Sequence, residues 1–304
     1  MRPSRRRAIA VTGAVSGVVV IVALAVVVLV VTDNRPSGTY AQFGQCPLSD
    51  RAASLCLSTE TVGGKLTVGT VTVPIVRALG LQGGVDVIEN REREVVKDEL
   101  IAARNGATLS RTPQAIPGGL ADTVDAELLP APLRRAFDGL IAGASTRVTA
   151  TIELARPASS VGIDIQNLIE AAGIALVLPA KVRLSNPFLG ADCYIGSAEH
   201  PLWLRLTTGE TRPPKPNTPI RGRVGKATFS DEYNLTVIRG SSLVDNSFAV
   251  PGAAGCGAIP SRAVDRAVNA KLGLPAPAGH NTVILDGTLW DANAPAVRAA
   301  KADS

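Results

Sequence analysis

Three stretches of this chain hold side chains able to do chemistry. Asp192-Cys-Tyr-Ile-Gly-Ser-Ala-Glu-His200 gathers two carboxylates, a hydroxyl and an imidazole. Acyl transfer needs a nucleophile, a base and a group to orient the base. Neighbours in sequence need not meet in space, however, and the stretch also reads as a surface turn before a strand. His280, the one other histidine, sits in the loop Ala278-Gly279-His280-Asn281. The third stretch is Thr211-Arg-Pro-Pro-Lys-Pro-Asn-Thr-Pro-Ile-Arg-Gly222. Its prolines at 213, 214, 216 and 219 forbid a regular strand or helix and favour an extended, solvated loop. Arg212, Lys215, Arg221, Arg223 and Lys226 make this region a candidate contact for anionic wall polymer or lipid headgroups, or simply a stiff connection between strands near Leu206 and Phe229. No nucleophile elbow G-x-S-x-G, phosphate loop G-x-x-x-x-G-K-[ST] or G-x-G-x-x-G occurs. No catalytic residue and no cofactor is assigned.

The four cysteines, Cys46, Cys56, Cys193 and Cys256, show no C-x-x-C spacing, and two histidines are too few to complete a convincing zinc site. No metal is expected. An even count argues for disulfides in an oxidising compartment. The expected pairs are Cys46–Cys56, close in sequence, and Cys193–Cys256, flanking the strand-rich C-terminal region.

The compartment follows from the N-terminus. Residues 8–31 are uncharged and apolar and follow the basic run MRPSRRR. As a helix they reach roughly 36 Å, enough for a hydrocarbon core of about 30 Å. The positive-inside rule puts residues 1–7 in the cytoplasm and the rest outside. No small-x-small cleavage site follows, so a retained single-pass membrane anchor is expected, with a cleaved signal peptide as the alternative. Gly13 and Gly17 share one helix face, where a homodimer through the anchor would pack. Net charge is +5, yet the four arginines before the span carry most of it. The remainder has 27 bases against 26 acids, which removes the electrostatic case for nucleic acid.

The elements come next. Aromatics are 3% of the chain, so Val, Leu, Ile and Ala must build the core. A stalk is expected over 32–45, an extracytoplasmic β-rich domain over 46–291 and a frayed tail over 292–304. Period-two patterns mark strands at 65–75, 146–155, 174–178, 181–184, 202–208, 234–238 and 282–285. Residues 85–101 fit either a charged helix or a protruding hairpin. Helices are expected over 131–142, within 163–172 and over 262–272, the last with Gly273 in the C-terminal capping position. Many short strands and a few helices suggest a mainly antiparallel, β-sandwich-like ectodomain.

Several motifs recur together: Asp192-Cys-Tyr-Ile-Gly-Ser197, Leu204-x-Leu-Thr-Thr-Gly209 with the Pro-rich loop, Ser242-Leu-Val-Asp-Asn-Ser-Phe248, Gly255-Cys-Gly257, Val268-Asn-Ala-Lys-Leu-Gly-Leu-Pro275, Ala278-Gly279 and Asn281-Thr282. In these the chain resembles uncharacterised exported or membrane-anchored cell-envelope proteins of actinobacteria. The resemblance runs from about Gln45 to Leu289 and is strongest from Asp192 onward. It implies an exported envelope protein with paired cysteines and supplies no activity.

These readings point to a non-catalytic binding or structural role in the cell envelope, with membrane, wall polymer or lipid as partner. A lipid carrier and an envelope hydrolase are the alternatives. An aliphatic cavity of several hundred Å³ would favour the carrier. A cleft joining Asp192, Glu199 or His200 to a free serine would favour the hydrolase. A filled core would favour the plain binding role.

Overall fold

The computed structural model describes residues 36–88, 97–257 and 262–302. Residues 1–35, with the expected span, Gly13 and Gly17, lie outside them. No helix among the described residues is long and apolar enough to cross a membrane. Arg35–Ser304 is a separate compact unit. Its core and both disulfides are internal to it, so it holds the contacts for folding on its own.

The strands in order are β1 (Leu55–Val68), β2 (Val71–Pro74), β3 (Gln82–Ile88), β4 (Lys97–Ala102), β5 (Gln114–Ala115), β6 (Thr149–Leu154) and β7 (Gly162–Ile163). There follow β8 (Leu176–Ser185), β9 (Tyr194–Ile195), β10 (Leu202–Leu206), β11 (Lys226–Ser230), β12 (Leu235–Asp245), β13 (Ala253–Ala254) and β14 (Thr282–Asn293). The helices are α1 (Gly119–Thr123), α2 (Ala131–Ala142), α3 (Ile165–Glu170), α4 (Arg262–Leu272) and α5 (Ala294–Ala302). The domain is mainly β and antiparallel, as the alternation in sequence implies.

All strands belong to one sheet, and its ladder returns to itself. The path β12–β14–β1–β3–β4–β7–β8 continues through β10, which pairs with β8. Thr207, just after β10, then pairs with Val244 of β12, with N···O distances of 3.0 and 2.9 Å. These eight strands therefore ring a barrel. A barrel of eight is just wide enough to be filled by side chains or to hold one small ligand.

Glycine allows the bend that closure needs. β1 slips register between Thr61 and Gly63, and β12 between Arg239 and Ser241. Both slips face Gly287 of β14, which pairs with Thr61 and Ser241. A Cβ on Gly287 would meet the carbonyl oxygen of Glu60, so the strands can approach only without one. Such bulges increase local twist and turn the sheet. β12 and β14 run through these slips, past the expected 234–238 and 282–285.

Beyond the ring, β8 continues into β6 and β9, and β9 into β13. α4 and α2 close this second region over Leu120, Val124, Val148, Leu184, Val264 and Val268, all nearly inaccessible. Phe137 and Phe188 meet edge to face at 5.6 Å, a favoured aromatic geometry. The Cys193–Cys256 disulfide, with a Cα separation of 4.1 Å, lies here, and Cys46–Cys56 ties the N-terminal segment to β1.

Several expectations are corrected. The single strand at 65–75 is the β1–β2 hairpin, turned at Gly69 with φ of 54°. The break at Pro179 is absent: β8 runs through it, because its carbonyl accepts from Ala155 N–H at 2.9 Å and no donor is needed there. Residues 85–101 include the facing strands β3 and β4, which makes this stretch a hairpin. The stalk and tail are docked: Tyr40 and Phe43 pack with Ala294 and Val297. Arg298 donates to the carbonyls of Leu48, Asp50 and Ala53 at 2.7, 2.7 and 3.0 Å.

Candidate functional site

The inward positions of the ring strands alternate as period two requires. β1 contributes Leu57, Thr59 and Thr61; β8, Leu176 and Leu178; β14, Val283, Leu285 and Leu289. These side chains leave a gap. Its volume is about 80 Å³. The lumen is long and narrow. Along β14 it runs from Val283 to Leu289, about 20 Å at the rise of an extended strand. Ile165 and Leu168 of α3 reach it. Asp164 holds the start of that helix by accepting from Asn167 N–H at 2.8 Å.

The lining is aliphatic. Leu109, Ile152, Ile165, Leu176, Leu243 and Leu285 stay only half-buried while core neighbours such as Leu57 and Val283 are closed off. Polar residues concentrate at one end. Glu60, Thr288 and Arg239 are register neighbours across β1, β14 and β12, and Thr61, Gly287 and Ser241 form the next row. Glu60, outward between the inward Thr59 and Thr61, is the one exposed residue of the lining; an outer recess reaches the lumen wall at this row, and we call it the mouth.

Asp291 faces inward two residues beyond Leu289, between Leu57 and Thr236. It is 8% exposed, and its Oδ2 has no partner among the described residues. Burial pushes its pKa up to about 6, against a weaker opposing hydrogen bond from Thr236. The folded state therefore binds a proton between pH 4 and 6 that the unfolded chain has released. Stability should fall as pH rises through this window. Asp291→Asn should flatten the slope, leaving the smaller part that buried Asp98 contributes in the same direction, and add up to about 3 kcal/mol above pH 7, measured by urea titration from pH 4 to 8. An unchanged slope would reject burial of this carboxyl as its source.

The histidine stretch does not assemble a hydrolase site. Ser197 Oγ donates to Glu199 Oε2 at 2.8 Å and accepts from the backbone N–H of His200 at 3.1 Å. This is a turn closed on itself, and Asp192, Glu199 and His200 are all exposed. The Ser197 hydroxyl holds the Glu199 carboxyl below the usual carboxylate range, the wrong direction for a general base near neutral pH. His280 is exposed too.

The Pro-rich loop lacks regular structure from Arg212 to Pro219 and is mostly exposed. It does not join neighbouring strands, since β12 lies between β11 and the end of β10. It is also stapled. Asn217 Nδ2 donates to the carbonyls of Asn246 and Asn281 at 2.9 Å each. Among its bases, Arg221 pairs with Glu210 at 3.2 Å and Arg223 with Asp286 at 3.8 Å. Arg212, Lys215 and Lys226 are exposed. Sequence reasoning missed the lumen residues, since leucine and valine at period two look the same whether they face a filled core or a hollow one.

Fold and site together define a closed antiparallel β-barrel with an aliphatic lumen and a polar mouth. Comparison of the chain with protein-family profiles, curated proteins and solved structures gives no match.

Proposed function

We propose that this chain is a membrane-tethered, extracytoplasmic binding protein of the cell envelope that carries one apolar chain of a lipid inside its barrel. The lumen is the observation that carries the reading. A filled core was the mark of the plain binding role, and a cleft with an activated serine that of the hydrolase. The cavity has the aliphatic lining of an alkyl-chain site; at about 80 Å³ it is smaller than the several hundred Å³ expected of a carrier, so an entering chain must widen it. Each methylene moved from water into it is worth about 0.8 kcal/mol. The two disulfides support an oxidising compartment. The Arg-rich start and apolar run of residues 1–31 support a tether with a cytoplasmic N-terminus.

The test is titration of residues 36–304 with cis-parinaric acid. Saturable binding of one probe per chain, displaced by palmitate but not by a hexose or by inorganic phosphate, is expected. Failure to bind, or binding proportional to probe without saturation, would overturn the reading.

A further inference from the structure

We propose that the rim of the lumen's mouth docks on an anionic lipid bilayer and that the apolar chain passes between membrane and barrel there; this rests on the lumen reading above. The wall is thin at the mouth. An outer recess bordered by Gln42, Ala78 and Trp290 reaches Thr59, Glu60, Leu79 and Gly80 from the far side, and the same residues line the lumen.

Two apolar side chains project beside it. Val62 and Val76 are 62% and 69% exposed. Val62 is the bulge residue of β1. Val76 lies on the adjoining segment, between Ile75, bonded to Gly64 O at 3.0 Å, and Leu79, paired with Thr61. The backbone N–H groups of Val76 and Arg77 both donate to Oε1 of buried Gln114, at 3.0 and 3.1 Å, and Gln114 Nε2 donates back to Arg77 O at 2.7 Å. Val76 is therefore held outward by a fixed backbone, and Val62 projects from the bulge beside it. A single exposed valine is ordinary. A pair held at the mouth of an aliphatic lumen places apolar surface where a lipid chain must leave its bilayer.

The charge around the mouth selects the partner. Lys65, Arg77, Arg223 and Arg239 are exposed there, with Glu60 and Asp286 as the acids. Arg223 is engaged by Asp286 and by Gly240 O at 2.9 Å. Among the described residues, Lys65, Arg77 and Arg239 remain against Glu60. A surplus of bases around an apolar tip complements anionic headgroups above acyl chains.

The test is co-sedimentation of residues 36–304 with vesicles of phosphatidylcholine plus phosphatidylglycerol, and with phosphatidylcholine alone. The transfer of parinaric acid to the vesicles is followed in parallel. The wild-type domain should prefer the anionic vesicles and lose them as salt rises. V62S/V76S should bind them about tenfold less, transfer the probe more slowly, and keep its melting temperature and its probe affinity in free solution. R77S/R239S should abolish the anionic preference. Unchanged vesicle binding and transfer in a folded V62S/V76S would overturn the docking surface and leave the lumen reading intact. A wild-type domain that sediments with vesicles but binds no parinaric acid would support docking and overturn the lumen.

Discussion

Leu243→Trp should cost the barrel its ligand and leave the fold standing. Leu243 and Leu285 face each other across β12 and β14 on the lumen side, and both are half-buried. An indole at either position projects into the narrow gap instead of into packed atoms. If it displaces only four methylenes of a bound chain, the loss is about 3 kcal/mol, roughly 200-fold in affinity. Leu285→Trp, on the facing strand, should do the same. Melting temperatures should stay level or rise, since filling a void tends to stabilise. Parinaric acid titration of the three proteins checks the result. Equal affinities, with both variants folded, would mean that the probe binds elsewhere.

The second large effect is on stability. Asn281 is completely buried, yet it makes contacts in every direction. Its Oδ1 accepts from Gly69 N–H at 3.0 Å, and its Nδ2 donates to the carbonyls of Phe248 and Pro277 at 3.0 and 3.1 Å. Its own carbonyl takes Asn217 of the Pro-rich loop. One side chain thus joins the β1–β2 turn, the segment after β12 and the loop before β14. Asn281→Ala leaves several buried polar groups unpaired, each costing about 1–3 kcal/mol. A total near 4 kcal/mol and a fall of about 10 °C in Tm are expected. His280→Ala, at the exposed neighbour, should stay within about 0.5 kcal/mol. Urea denaturation of both variants decides. Equal stabilities would mean that water replaces the Asn281 contacts.

Local devices were legible in the sequence, and closure was not. The cysteine pairs, α2 and α4 follow from spacing within a dozen residues or from simple parity, and they stand where that reasoning puts them. The ring is closed by one bridge, Thr207 to Val244, between residues with no distinguishing pattern. Glycines at 63, 64, 240 and 287 carry no signal of closure when taken singly. Only their register across three strands makes them a bend. The acids at 286 and 291 interrupt an apolar pattern and so shortened the expected last strand. In β14 one reaches the surface and the other lies buried beside the lumen. The Pro-rich loop was read correctly as irregular, but no local pattern announces that Asn217 would pin it to Asn246 and Asn281.

Native mass spectrometry bears most directly on the central claim. The domain is released from the membranes of its own cells without detergent and sprayed intact. One apolar molecule per chain is the expected finding, with a mass that lipid extraction assigns to an alkyl-chain compound, and Leu243→Trp should lack it. A bare chain in both proteins would contradict the account.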